Sequence, residues 1–163
     1  LIKICLVAQN YDETVAIGAS LATTLQSGDV VALDGDLGAG KTVFAKGIAS
    51  IIAPEAFVSS PTFTIVNEYV GQANKFPLYH FDTYRLTGVE DFLNSGLEEY
   101  LYSDGICVIE WSSIIEDILG EKTIKVQILG TGDTRRINIE FDEEAISKER
   151  AIRITKALEA FAS

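Results

Sequence analysis

The run DVVALD (29–34) leads directly into GDLGAGKT (35–42), and a stretch of helical periodicity follows from Lys41 to Ala53. That order leaves few folds open. The first run is short, apolar and β-branched, as in a strand buried on both faces of a parallel sheet. Phe44, Ile48, Ile51 and Ile52 share one helical face, and Pro54 stops the helix. Between strand and helix, Gly35, Gly40, Lys41 and Thr42 stand in G-x-x-x-x-G-K-[ST] register. Glycines let the backbone bend so that successive N–H groups point inward. With the start of a helix they form a cradle for anionic oxygens. Lys41 adds a mobile point charge suited to β- and γ-phosphates. The Thr42 hydroxyl is a ligand type for Mg²⁺. The motif therefore predicts a P-loop for a nucleotide polyphosphate.

The rest of the chain predicts a three-layer α/β fold with a mixed, partly antiparallel sheet. LIKICLVA (1–8) reads as a strand. Ile17, Leu21 and Leu25 predict a helix with Asn10 and Glu13 as its capping box and Gly28 as its stop. TFTIVNEYV and KFPLYHFDTYR, joined by GQAN, read as a hairpin, and TIKVQIL and RRINIEF, joined by GTGDT, as a second one. Residues 89–102 predict one or two short helices broken near Gly96. ICVIEW reads as a buried strand with a helix over SSIIEDIL after it. Residues 143–163 predict a C-terminal helix with Ala151, Ile154, Leu158 and Phe161 on its packed stripe and Arg150, Arg153 and Lys156 elsewhere. The length, 163 residues, fits one domain spanning 1–163.

A P-loop needs a carboxylate near its metal, at the end of a neighbouring strand. Asp82 ends PLYHFD and Glu110 ends ICVIE. Ligands in open α/β sheets lie off the carboxyl ends of parallel strands, so both acids are candidates. One would bind the cation while the other orients or deprotonates a water. His80, the single histidine, precedes Asp82 by two residues on the same face. It is either an orienting partner for Asp82 or a satisfied core histidine. Arg85 pairs with Asp82 or phosphate, or is a surface arginine. SSPTFT offers Ser59, Ser60, Thr62 and Thr64 as hydroxyls near a γ-phosphate. Thr62 reads either as a switch residue or as part of a turn into a strand.

Charge narrows the partners. The net charge is −11, with 13 basic against 24 acidic residues, which argues against a large direct grip on RNA or DNA. Cys5 and Cys107 lie far apart in apolar runs and read as reduced core thiols of a cytoplasmic protein. No run approaches the about 18 apolar residues of a membrane span. Guanine readout by N-K-x-D is unsupported: the near miss, NKFP (74–77), has Pro in place of the Asp. ATP is the better-supported nucleotide.

Four motifs occur in order: LDGDLGAGKT, SSPTFTIVNEY, LYHFDTYRL and VIEW. Together they resemble the bacterial tRNA threonylcarbamoyladenosine-biosynthesis ATPases of the TsaE (YjeE) family, over roughly residues 10–140. The resemblance implies a weak, Mg²⁺-dependent ATPase that works with TsaB and TsaD. Those partners transfer a threonylcarbamoyl group to adenosine 37 of tRNA, so this chain would meet tRNA only through them. It implies that Gly35, Leu37, Gly38, Ala39, Gly40, Lys41, Thr42 and Val43 surround the nucleotide. Thr14, in DETVAIG, and Arg135 would lie near the adenine end. Thr42, Glu110 and Asp82 would serve the cation, and Lys41, Asp82, Glu110 and the switch-like Thr62 the chemistry. Two other readings use the same cradle: a small-molecule or nucleoside kinase, and a nucleotide-gated binding module with negligible turnover.

Overall fold

A computed structural model describes residues 1–36, 38–61 and 65–162. The expectations placed on Leu37, Thr62 and Thr64 lie outside the described residues. Among those described, seven strands form one sheet in the order β1-β7-β6-β2-β5-β4-β3. They are β1 (Ile2–Ala8), β2 (Val30–Gly35), β3 (Val66–Tyr69), β4 (Leu78–Asp82), β5 (Ile106–Glu110), β6 (Ile124–Leu129) and β7 (Arg135–Phe141). The centre, β6-β2-β5-β4, is parallel, and both edges are antiparallel. The sheet is mixed, as the two hairpins imply. In the first hairpin residues 70–77 join the strands, a longer connection than GQAN alone.

Five α-helices accompany the sheet among the described residues: α1 (Tyr11–Ala22), α2 (Lys41–Ile52), α3 (Val89–Asn94), α4 (Glu143–Ile146) and α5 (Lys148–Leu158). Leu97–Tyr102 and Ser112–Ile118 are 3-10 turns. Period-two alternation divides the core. Ile106 and Val108 of β5 face the layer of α1, α2 and α5, while Cys107 and Ile109 face the layer of α3 and the 3-10 turns. This is the three-layer α/β architecture of a P-loop NTPase.

Two helix–helix contacts need glycine. A Cβ at Gly18 of α1 would overlap the carbonyl oxygen of Phe44, and one at Gly47 of α2 that of Val15. The backbones of α1 and α2 therefore meet directly, which brings the start of α1 beside the start of α2. At the N-terminus of α1, Asn10 accepts from the Glu13 amide at 2.9 Å. Glu13 reaches back to the Gln9 amide at 3.1 Å, one residue before the position a capping box uses.

Several expectations are corrected. α1 stops at Ala22, well before Gly28. Thr23 and Thr24 donate their hydroxyls to the carbonyls of Ser20 and Leu21, and such local side-chain bonds compete with the helical ladder. Cys5 is exposed on β1. Only Cys107 is a core thiol, and burial pushes its pKa up to about 12. The C-terminal helix is broken at Ser147, whose φ is 93°. Arg150, expected off the packed stripe, is 8% exposed and forms a forked pair with Asp29 at 2.7 and 3.2 Å. No helix among the described residues is long and apolar enough to cross a membrane.

Candidate functional site

β2 delivers the chain to the glycine-rich bend, and α2 begins at Lys41. Gly40, the N-cap, has φ 107°, a left-handed conformation open to glycine, and no side chain caps the helix. The amides of the first helical turn have no acceptor within the helix. They remain available to an anion at the positive end of the helix dipole. A Cβ on Gly35 would overlap the carbonyl oxygen of Ile128, so only glycine lets β2 pass β6 into the bend. Gly35 lines neither the cleft beside the bend nor the pocket adjoining it; its carbonyl accepts from Lys41 Nζ at 2.8 Å. The Asp36 carbonyl accepts from the same ammonium at 2.9 Å.

Lys41 is 5% exposed. Burial lowers its pKa, opposed by Glu110, Asp82, Asp34 and Asp36. Its ammonium also lies 4.3 Å from the centroid of the Trp111 ring. Trp111 follows β5 in a left-handed conformation, φ 62°. Its amide donates to Leu33 O at 3.0 Å and its ring packs 5.0 Å from that of Tyr84. On the outer side of the loop, Arg135 donates from Nε to Ala39 O at 2.7 Å and from a terminal nitrogen to Gly132 O at 2.5 Å. Arg135 thus braces the bend.

The parallel register of β4 and β5 pairs Asp82 with Glu110, so both acids leave the sheet at one level beside Thr42. Glu110 is 3% exposed. The Thr42 hydroxyl lies 3.2 and 3.1 Å from its two carboxylate oxygens. His80 points at Glu110, with Nε2 2.5 Å from Oε2. Of the two readings of His80 neither holds: its ring bonds Glu110 and not Asp82, and its buried Nδ1 has no partner, so it is not a fully satisfied core histidine. His80 stands opposite Val108, two residues before Glu110, so its ring reaches diagonally along β5. Asp82 instead accepts from the Tyr84 amide at 3.0 Å and lies 3.5 Å from the Ser60 hydroxyl. Burial raises its pKa; the Tyr84 amide counteracts this and Glu110 adds to it.

These groups line a cleft of about 270 Å³ formed by Gly38, Gly40, Lys41, Thr42, Val43, Ser60, Asp82, Glu110 and Trp111. An adjoining pocket of about 190 Å³ shares Gly40 and Val43 and adds Tyr11, Thr14, Ala39, Gly132, Asp133 and Arg135. Thr14 and Arg135 therefore lie together beside the bend. Arg85 is exposed and lines neither cavity.

The cleft holds hard oxygen donors: the Thr42 hydroxyl and the Glu110 and Asp82 carboxylates. No cluster of three His, Cys, Asp or Glu suited to a metal occurs among the described residues. The donor set fits Mg²⁺, which is commonly bound by one or two carboxylates together with phosphate oxygens and waters. Four carboxylates act on the single ammonium of Lys41, so a divalent cation would also offset repulsion of a polyphosphate.

Three supporting residues escaped the sequence reading. Thr83 donates to the carbonyls of Glu110 and Trp111 at 3.0 and 2.6 Å. Asp34 accepts from the Ser112 hydroxyl at 2.5 Å and the Ser113 amide at 3.3 Å. Ser112 is the third. Asp34 directly precedes Gly35 and Thr83 directly follows Asp82, so adjacency was the available signal; their partners depend on strand register.

The family model for threonylcarbamoyl adenosine biosynthesis protein TsaE matches residues 8–138. The tRNA threonylcarbamoyladenosine biosynthesis protein TsaE of Bacillus subtilis is 42% identical over 127 residues, 78% of each chain. The Treponema pallidum protein of that name is 38% identical over 130 residues, 80% of this chain and 94% of that protein. The Haemophilus influenzae one is 44% identical over 110 residues, 68% of each. A crystal structure of Bacillus subtilis YdiB superposes with a TM-score of 0.75 at 31% identity, covering 98% of this chain and 96% of that one. With most of its length matched in sequence and in fold, the chain belongs to the TsaE family.

Proposed function

We propose that this protein binds ATP with Mg²⁺, hydrolyses it slowly, and thereby supports threonylcarbamoyl transfer to adenosine 37 of tRNA through a TsaB–TsaD complex. The family membership and the names of the relatives support the pathway. One observation carries the chemistry: Lys41, Thr42, Glu110 and Asp82 converge on one cleft at the bare start of α2.

In this reading the amides of the bend and Lys41 take the phosphate oxygens. Lys41 leaves the carbonyls of Gly35 and Asp36 to do so. Glu110, already bonded to Thr42, serves with it as the cation's protein ligand. The cation supplies neutralisation of charge developing on the transferred group. Asp82 orients the attacking water and accepts its proton. Its raised pKa brings it closer to neutrality than an ordinary aspartate, which suits a base. Water oxygen bonds to the γ-phosphorus, the bond to the bridging oxygen breaks, and ADP and phosphate leave. Thr14, Val43 and Arg135 line the space for the nucleoside. Hydrolysis would reset the partner complex between turnovers.

A kinase would clamp the transferred phosphate with arginines. Here Arg135 is engaged with loop carbonyls and Arg150 with Asp29. The test is phosphate release from ATP and from GTP, each with and without TsaB–TsaD. Release from ATP that rises with the partners is expected. A phosphorylated acceptor formed in step with ATP loss would establish the kinase instead. Lys41→Ala should lose nucleotide binding; unchanged binding would remove the phosphate cradle from residues 35–42.

A further inference from the structure

His80 is the only histidine and is 1% exposed. It shares a face of β4 with Leu78, toward the apolar layer of α1 and α2, and stands opposite Val108. A polar ring in such a layer is unfavourable unless its bonds are made. Only one is: Nε2 meets Glu110 Oε2 at 2.5 Å, while Nδ1 has no partner. A carboxylate only accepts, so Nε2 carries the proton.

The remaining Glu110 contacts explain what that bond does. Glu110 Oε1 has the Thr42 hydroxyl as its hydrogen-bond partner, and Oε2 is shared between Thr42 and His80. The terminal torsion of a glutamate is broad and roughly two-fold. Thr42 lies nearly equidistant from both oxygens and does not choose between them; His80 touches one.

We propose that His80 is a positioning residue that locks the Glu110 carboxylate through Nε2–H, turning the pair Glu110–Thr42 toward the cleft as a preset cation ligand. It is buried behind the carboxylate and acts through Glu110 alone. The proposal rests on the nucleotide–cation reading above. Partners that orient a ligand typically change metal affinity about 10–100-fold when removed.

The test titrates a fluorescent, non-hydrolysable ATP analogue in EDTA and again with Mn²⁺. Wild type should bind in EDTA and bind more tightly with Mn²⁺. His80→Leu should keep the EDTA affinity and lose about 10–100-fold of the Mn²⁺-dependent gain. His80→Gln, which retains an N–H donor, should recover part of it. A folded His80→Leu protein with the full Mn²⁺ gain overturns the proposal. So does an equal fall in both affinities, the mark of a merely structural residue. Should His80→Leu not fold, ¹⁵N spectra of the single imidazole in the wild type decide: Nε2 protonated with Nδ1 bare is expected, and the opposite tautomer overturns it. Wild type that gains nothing from Mn²⁺, or binds no analogue, sinks the nucleotide–cation reading and this proposal with it. That outcome is distinct from a failure confined to the variants.

Discussion

Asp82 and Glu110 are paired across adjacent strands, yet their surroundings differ. Glu110 is enclosed by Thr42 and His80, whereas Asp82 is half-buried with the Tyr84 amide and the Ser60 hydroxyl nearby. Burial holds the Asp82 pKa above its ordinary 3.8. The folded chain thus binds that proton more tightly than the unfolded one does. The stabilisation this gives is complete below about pH 3.8 and lost as pH rises through the raised value. At neutral pH the ionised carboxylate opposes the ligand-free fold. Asp82→Asn should therefore raise the melting midpoint at pH 7 in EDTA, with the gap to wild type closing as pH falls toward 4. In the same protein, the proposed proton-acceptor role of Asp82 leads us to expect phosphate release to drop about 10²–10⁴-fold. Scanning fluorimetry across pH and a phosphate assay check both halves. A gap that widens in acid would show that burial does not govern this group.

At the scale of elements, α1 and α2 together line the pocket that adjoins the cleft. They cross at Gly18 and Gly47, and the crossing sets Tyr11 and Thr14 beside Val43. Gly47→Ala would drive a methyl into the Val15 carbonyl, and overpacking of this kind costs about 1–3 kcal/mol. The pocket between Thr14 and Val43, proposed above for the nucleoside, should open with it, so denaturation midpoint and nucleotide affinity fall together. Lys46→Ala, one position away on the exposed side, should change neither; a Gly47→Ala protein as stable as wild type would mean that the helices have room to part. The sequence made much of this level legible. β2, the bend and α2 follow from contiguous residues, and both acids follow from strand ends. What stayed hidden depends on pairing between distant segments. His80 on its strand pointed to Asp82; only the register of β4 on β5 turns its ring to Glu110. Gly28 looked like the stop of α1 because periodicity runs to Leu25, yet two threonine hydroxyls end the helix earlier.

Across the whole molecule, the cleft lies off the carboxyl end of β2, and Asp29 precedes the opposite end of that strand. Arg150 of α5 closes on Asp29 with two nitrogens and on Thr24 O with one of them, while its Nε has no partner. The pair fastens the C-terminal helix to the base of the strand that carries the P-loop. Both members are about 90% buried, so removing one leaves an uncompensated charge in the interior. Arg150→Ala should lower stability by about 3–5 kcal/mol. Replacing both, Arg150→Met with Asp29→Leu, should recover most of that loss, because an apolar pair of similar bulk needs no desolvation of charge. Chemical denaturation of the three proteins measures the difference, and titration with the ATP analogue supplies the second axis. Nucleotide affinity should be unchanged in every folded variant, since the pair acts on the base of the sheet and touches no group of the cleft. If Arg150→Ala kept its stability and lost nucleotide affinity, the base of β2 would be transmitting to the bend, and the pair would belong to the site instead of the scaffold.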